Sequence, residues 1–184
     1  MTKCNLAYCA SVFILIVLIS GCASFDGVKI KVVQTIPIIG TQIEISKTIN
    51  FDALLQNSVS NTHLIANSSF VIDLEVTNPG KNSYDSIYFG VLKNSQNIRE
   101  VYLYYTNGEP LQKIQDYIFK HDGTLKPGQT NKLRLVGTTD VLGRNETSAT
   151  VDLNLVAYEF NGTVYVPIPN SLNANRITIC ANNC

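Results

Sequence analysis

Tryptophan is absent from the 184 residues, methionine occurs only at position 1, and the two histidines are His63 and His121. Charged residues make up only 15% of the chain, with 14 basic side chains against 14 acidic ones. A chain this neutral offers no basic stripe to nucleic acid and no polybasic patch to an anionic membrane surface. The spacings that announce chemistry are missing too: there is no nucleophile elbow, phosphate-cradling glycine loop, zinc signature or acidic calcium loop. Both histidines lie in polar stretches, which predicts surface positions, no metal and no cofactor. Asp73 and Glu75 share a strand face at two-residue spacing, and a solvated outer face accounts for them. An enzyme would need a concave cluster around Asp73, Asp85, His121 or Asp140. The expectation is a protein that is not an enzyme.

What the chain does have is a leader. One basic side chain, Lys3, precedes an apolar run from Val12 to Ile19 that closes on Ser20, Gly21 and Cys22. This is the layout of an export signal, and the run is short for a hydrocarbon core about 30 Å thick. Ile19-Ser20-Gly21-Cys22 resembles the lipobox of prokaryotic lipoprotein signals. The resemblance implies cleavage after Gly21, acylation of Cys22 and attachment to membrane lipid through that residue. A secretory signal cut near Gly21 or Ala23, or an uncleaved anchor, remains an alternative. Removing residues 1–21 leaves 13 basic against 14 acidic side chains, and asparagine, serine and threonine dominate the remaining polar surface. Cys4 and Cys9 depart with the leader. If Cys22 carries lipid, Cys180 and Cys184 are the available disulfide pair, closing a ring too small to remove much chain entropy.

The mature chain is of one-domain size and reads as β throughout. After a tether at 23–27, Val28-Lys29-Ile30-Lys31-Val32 alternates, as does Gln42–Lys47, and both predict half-buried strands. A helical turn fits Asp52–Gln56. From Phe70 the pattern is clearest: Phe70, Ile72, Leu74 and Val76 point one way, and Val71, Asp73, Glu75 and Thr77 the other, until Asn78-Pro79-Gly80 ends the strand. Further strands are expected over Ser86–Leu92, Arg99–Tyr105, Lys132–Val136, Ala149–Phe160 and Thr163–Ile168, the last two joined at Asn161-Gly162. Pro110–Lys120 fits a short helix or an aromatic-rich edge strand, and the strands on both sides favour the second.

The strand ending in Val76-Thr77-Asn78-Pro79-Gly80, followed by Gly123-Thr124-Leu125-Lys126-Pro127-Gly128-Gln129-Thr130 leading into Lys132-Leu133-Arg134-Leu135, resembles extracellular immunoglobulin-like modules of prokaryotes, including the cell-adhesion-related bacterial domain. The likeness spans about residues 50–168, lacks the cysteine pair and tryptophan of antibody domains, and leaves 84–120 unmatched. It implies an all-β, immunoglobulin-like antiparallel β-sandwich used for adhesion, spacing or display, with no catalytic residues. The expected organisation is a signal helix over 1–21, a tether and N-terminal strands over 22–50, the sandwich over 51–169 and a tail over 170–184.

Tyr84, Tyr88, Tyr102, Tyr104 and Tyr105 concentrate the aromatic surface and are the candidate ligand-binding face for an envelope protein or polysaccharide, although tyrosine also favours strands for packing alone. Asn67, Asn145 and Asn161 head glycan-acceptor triplets. The expected role is an extracytoplasmic, lipid-anchored binding, adhesion or structural module. One alternative is a subunit of a surface assembly, with Val28–Val33 or Gln42–Lys47 adding to a neighbour's sheet. A secreted hydrolase is the other.

Overall fold

The computed structural model describes residues 26–38, 43–56, 58, 63–94 and 96–182. Among these residues, eleven strands and one short helix follow in the order β1 (Lys29–Ile38), α1 (Phe51–Leu55), β2 (Leu64–Ile65), β3 (Ser69–Thr77), β4 (Ile87–Lys93), β5 (Ile98–Tyr105), β6 (Gln112–Gln115), β7 (Ile118–His121), β8 (Thr130–Thr139), β9 (Ser148–Phe160), β10 (Tyr165–Pro167) and β11 (Asn173–Cys180). They form two facing sheets. The first has the order β1-β3-β8-β5, and the second β2-β11-β9-β4-β7-β6, with β10 paired to the end of β9. All pairings are antiparallel except the two-residue contact of β2 with β11.

Taken in chain order, β1, β3, β4, β5, β8, β9 and β11 occupy the places of the seven strands of a constant-type immunoglobulin-like sandwich. The β6–β7 hairpin is an insertion. It leaves the first sheet after β5, extends the second sheet beyond β4, and returns to the first at β8.

Alternation explains the packing. Phe70, Ile72, Leu74 and Val76 of β3 all enter the core between the sheets, facing Phe89 and Val91 of β4 and Leu153 and Leu155 of β9. Each such burial stabilises by about 1.5–3 kcal/mol. Gly137 is small because β8 passes close to the Phe70 ring, which a Cβ there would meet at 2.4 Å.

A second apolar layer covers the outer face of the first sheet. Ile36, Val71, Tyr104 and Val136 point outward there and are buried beneath Ile45, Ile49 and Phe51. The cover is residues 43–56, pinned to the sheet at several points: Ile43 N to Ser69 Oγ (3.3 Å), the Tyr104 hydroxyl donating to the Ile45 carbonyl, and Ile49 N to Gly108 O (2.9 Å). Asn50 caps α1 by accepting from Ala53 N (3.2 Å). The Arg134 guanidinium, paired to Asp73 at 2.9 Å, lies 4.4 Å from the Phe51 ring.

Several sequence expectations change. The strand expected at Gln42–Lys47 is irregular chain and turn from Ile43 onward, because its apolar side chains are spent covering a sheet face instead of extending a ladder. Val71 shares its face with Asp73 as expected, yet is fully buried by that cover. Pro110–Lys120 is β throughout its ordered part, broken into β6 and β7 by a turn at Asp116–Tyr117. His121, expected at the surface, is buried at the inward-facing register of Phe119 in β7. Residues 173–180, expected within a tail, form β11 along β9. The expected signal helix over 1–21 lies outside the described residues. Among the described residues, no helix is long and apolar enough to cross a membrane.

Candidate functional site

The inserted hairpin walls one side of a groove. Glu109–Leu111 fold back along the C-terminal half of β5, with Tyr105 N bonded to Glu109 O (2.9 Å) and Leu111 N to Leu103 O (2.8 Å). The N-terminal half, Arg99–Tyr102, is left as an open edge facing β6 and the β6–β7 turn. The resulting groove, about 570 Å³, is closed at its other sides by Ile43–Ser46 of the cover and by Asn67, Ser68, Thr138 and Thr139.

Tyr102, Tyr117 and Lys113 line it beside the carboxylates of Glu44 and Glu100, with Lys93 against the Tyr117 ring. Tyr102 stands between the layers, its ring 5.3 Å from Phe119 and 6.2 Å from Tyr104. Tyr117 occupies the turn with φ +62°, a left-handed conformation that glycine would adopt at lower cost. That backbone places the ring between cations: Lys93 Nζ lies 5.2 Å and Lys113 Nζ 5.8 Å from its centroid, and Lys113 also lies 5.7 Å from the Tyr102 centroid. Lys93 is held by the carbonyls of Ile98 and Arg99 (3.3 Å to the latter), and Lys113 by Asp116 (3.4 Å). At the rim Arg99 pairs with Asp140 at 2.9 Å, and the guanidinium hydrogen bond holds the Asp140 carboxyl below the usual carboxylate range. Aromatic faces ringed by donors, threonine hydroxyls and an asparagine can stack on and hydrogen-bond a hydroxyl-rich ligand.

The tyrosines singled out in the sequence do not form one face. Tyr102 alone lines the groove. Tyr104 is fully buried beneath the cover, and burial raises its hydroxyl pKa. Tyr105 accepts from Asp122 N (2.7 Å) and stacks on His121 (5.6 Å), at the opposite end of β5. Tyr84 is buried against the 125 strand-bridge, and burial again raises its pKa. Tyr88 lies on the outer face of the second sheet with Phe160 and Tyr165. Tyr117 and Lys113 escaped sequence reasoning because residues 110–120 had no settled period; the available signal was the aromatic richness of that stretch.

Asn67, Asn145 and Asn161 are all exposed. Cys180 is disulfide-bonded; Cys184, its expected partner, and Cys22 lie outside the described residues. His121 is neutral over a wider pH range than an ordinary histidine, since burial lowers its pKa, and its Nε2 lies 3.0 Å from Asn131 Nδ2. Among the described residues no group of three or more histidine, cysteine, aspartate or glutamate side chains is placed to hold a metal. Asp73 and Glu75 lie on the outer face of β3, as expected, away from the groove. The expected strand-adding edge at Val28–Val33 is partly engaged already, with Val28 N bonded to Pro169 O (3.2 Å) and the Ile30 carbonyl accepting from Asn173 (3.1 Å).

No family model and no curated protein matches the chain. Among solved structures it is similar to the CARDB domain of PF1109 from Pyrococcus furiosus, at 13% identity and a TM-score of 0.44, covering 85% of this chain and 94% of that one. It is also similar to AvmM, which catalyses macrocyclization in alchivemycin A biosynthesis, at 6% identity and a TM-score of 0.44 over 68% of this chain and 87% of that one. The periplasmic chaperone SfaE matches at 13% identity and a TM-score of 0.30, over 83% of this chain and 55% of that one.

Proposed function

We propose that this protein is a lipid-anchored, extracytoplasmic β-sandwich that acts by binding and not by catalysis, and that its groove takes a hydroxyl-rich ligand such as an envelope polysaccharide. The observation that carries this reading is Tyr117: a bulky aromatic residue kept at a positive-φ turn position, its ring presented between Lys93 and Lys113 at the groove mouth. Unusual backbone retained beside a cavity points to use of the side chain. The lipobox-like Ile19–Cys22 supports the anchor and the location.

Tyr117→Gly separates function from folding. Glycine suits φ +62°, which offsets the core contact the ring gives up, and circular dichroism checks that the variant stays folded. Binding of purified acylated protein to polysaccharide from the host envelope is expected to fall at least tenfold, about 1.4 kcal/mol, in Tyr117→Gly and in Tyr102→Ala. Unchanged binding in a folded Tyr117→Gly protein would sink the groove as the site. Intact mass of the protein from its host tests the anchor independently: residues 22–184 plus acyl chains are expected, and an unacylated mass removes the anchor.

A further inference from the structure

The β9–β10 hairpin leaves apolar side chains exposed on both of its faces. β9 runs to Phe160, two residues past its last pairing with β4 at Tyr158. Tyr165 returns opposite Phe160, their rings 5.0 Å apart, with Tyr88 4.9 Å from Tyr165. Val166 occupies the other face beside its cross-strand partner Glu159, and Val164 stands in the connecting loop. Phe160 is 45%, Val164 53% and Val166 44% exposed. Residues 160–167 carry no charge.

The hairpin lies where the chain enters the domain. Gly27 packs on the Pro169 carbonyl so closely that a Cβ would sit 2.0 Å from its oxygen, Asn170 donates to the Asp26 carbonyl (2.9 Å), and Asp26 and Glu159 both act electrostatically on Tyr84. Three residues, and so four Cα–Cα steps, separate Asp26 from Cys22, and an acyl group on Cys22 holds this end within about 14 Å of the bilayer surface. The groove is at the other end: its Arg99, Ser68 and Thr139 lie beside the C-terminus of β1, where Ile38 pairs with Ser69.

We propose that the β9–β10 hairpin, with Tyr88, is a membrane-contacting element that seats the domain on the bilayer interface and turns the groove away from it. The proposal rests on the anchored reading above. Tyrosine and phenylalanine suit the headgroup boundary, where one end of the ring is apolar and the other wet. A bilayer covers both faces of a projecting hairpin, whereas a sugar stacked on Phe160 and Tyr165, or a second copy docked there, leaves Val164 and Val166 in water. Glu159, opposite Val166, is the flanking charge; with none between Phe160 and Pro167 the contact is chiefly apolar and only weakly sensitive to salt.

The test uses the full acylated protein from its host, reconstituted in phosphatidylethanolamine–phosphatidylglycerol vesicles. A phospholipid with a photoactivatable diazirine near its glycerol is included, and adducts are mapped by peptide mass. Adducts are expected to concentrate on residues 158–168 over 98–102 and 140–142, to persist in high salt, and to fall several-fold in the Phe160→Ser/Val164→Ser/Val166→Ser variant. The single Phe160→Ser and Val164→Ser variants, with circular dichroism as a check on folding, guard against loss of structure in the triple variant. Adducts spread evenly, gathered at the groove end, undiminished in a folded variant, or replaced by links between copies would overturn the proposal. Intact mass on the same sample separates the two readings: an acylated protein with the wrong adducts fails here alone, and an unacylated one fails at the anchor.

Discussion

The inner faces of the two sheets bury one another, but their outer faces are treated in opposite ways. On the first sheet Val71, Tyr104 and Val136 face outward, and residues 43–56 lie across them as a second apolar layer. On the second sheet the outward positions over most of the length are polar, among them Asp152, Asn154 and Arg176, and nothing in the described chain lies over them. Apolar side chains on this face are Leu92 and Val156 midway and a cluster at one end, Tyr88, Phe160 and Tyr165. A sheet with apolar side chains in both phases of its alternation needs two partners, whereas one with a single apolar phase needs one. The first sheet finds its second partner within the chain. The end of the second finds it, on the proposal above, in the bilayer.

Deleting the same ring from each layer tests this contrast most strongly. Phe70→Ala in the inner core is expected to cost about 3–5 kcal/mol, and Phe51→Ala in the cover about 2–3 kcal/mol, since a surface segment loosens more readily around a void. Urea melts followed by circular dichroism measure both, and equal costs would mean the cover is as integral as the inner core. Gly108 is the hinge of the contrast: its φ is +91° and a Cβ would lie 1.9 Å from the Ile49 carbonyl oxygen. Gly108→Ala is therefore expected to release the cover at a cost of about 1–3 kcal/mol. Protease cleavage within 43–56 should rise far more than global unfolding, and uniform cleavage would refute a separable layer.

The inner layer also carries a titratable group, His121, which the carboxylate of Asp122 faces from the next residue and Tyr105 and Asn131 from neighbouring strands. Burial depresses its pKa, so the folded state binds fewer protons than the unfolded one. Stability is therefore present above the ordinary histidine value near 6.5 and is lost as pH falls from there toward the folded pKa. In thermal melts the parent should lose stability more steeply than His121→Gln as pH falls through that range; identical slopes would mean His121 contributes nothing. Smallest of all is Arg176→Ala on the uncovered outer face. Its ion pair with Asp152 (2.8 Å) is exposed, and the urea midpoint is expected not to move measurably.

Much of the sandwich was legible because strand alternation is a local signal. β3, β4, β5, β8 and β9 appear in the sequence within a few residues of their observed bounds, and the Phe70–Val76 phase predicts the inner core correctly. β11 was hidden because its inward phase opens on Asn173 and Asn175, opposite Leu155 and Leu153, and turns apolar only at Ile177. The site was far less legible. Of the five tyrosines between 84 and 105 only Tyr102 reaches the groove, because Tyr88 belongs to the other sheet, Tyr104 is buried beneath the cover and Tyr105 lies at the far end of β5, while Tyr117 and Lys113 arrive from an insertion.

By itself the sequence determined the β class, the inner face of its strongest strands, the turn chemistry at Asn78-Pro79-Gly80 and Asn161-Gly162, and the neutrality of the surface, all of which depend on near neighbours along the chain. Tertiary structure decided the rest: that 43–56 covers a face instead of adding a strand, that His121 turns inward, that the β6–β7 insertion opens a groove against β5, and that the hairpin stands beside the chain's entry. These depend on which distant surfaces meet, and an apolar residue does not specify in advance which surface will bury it.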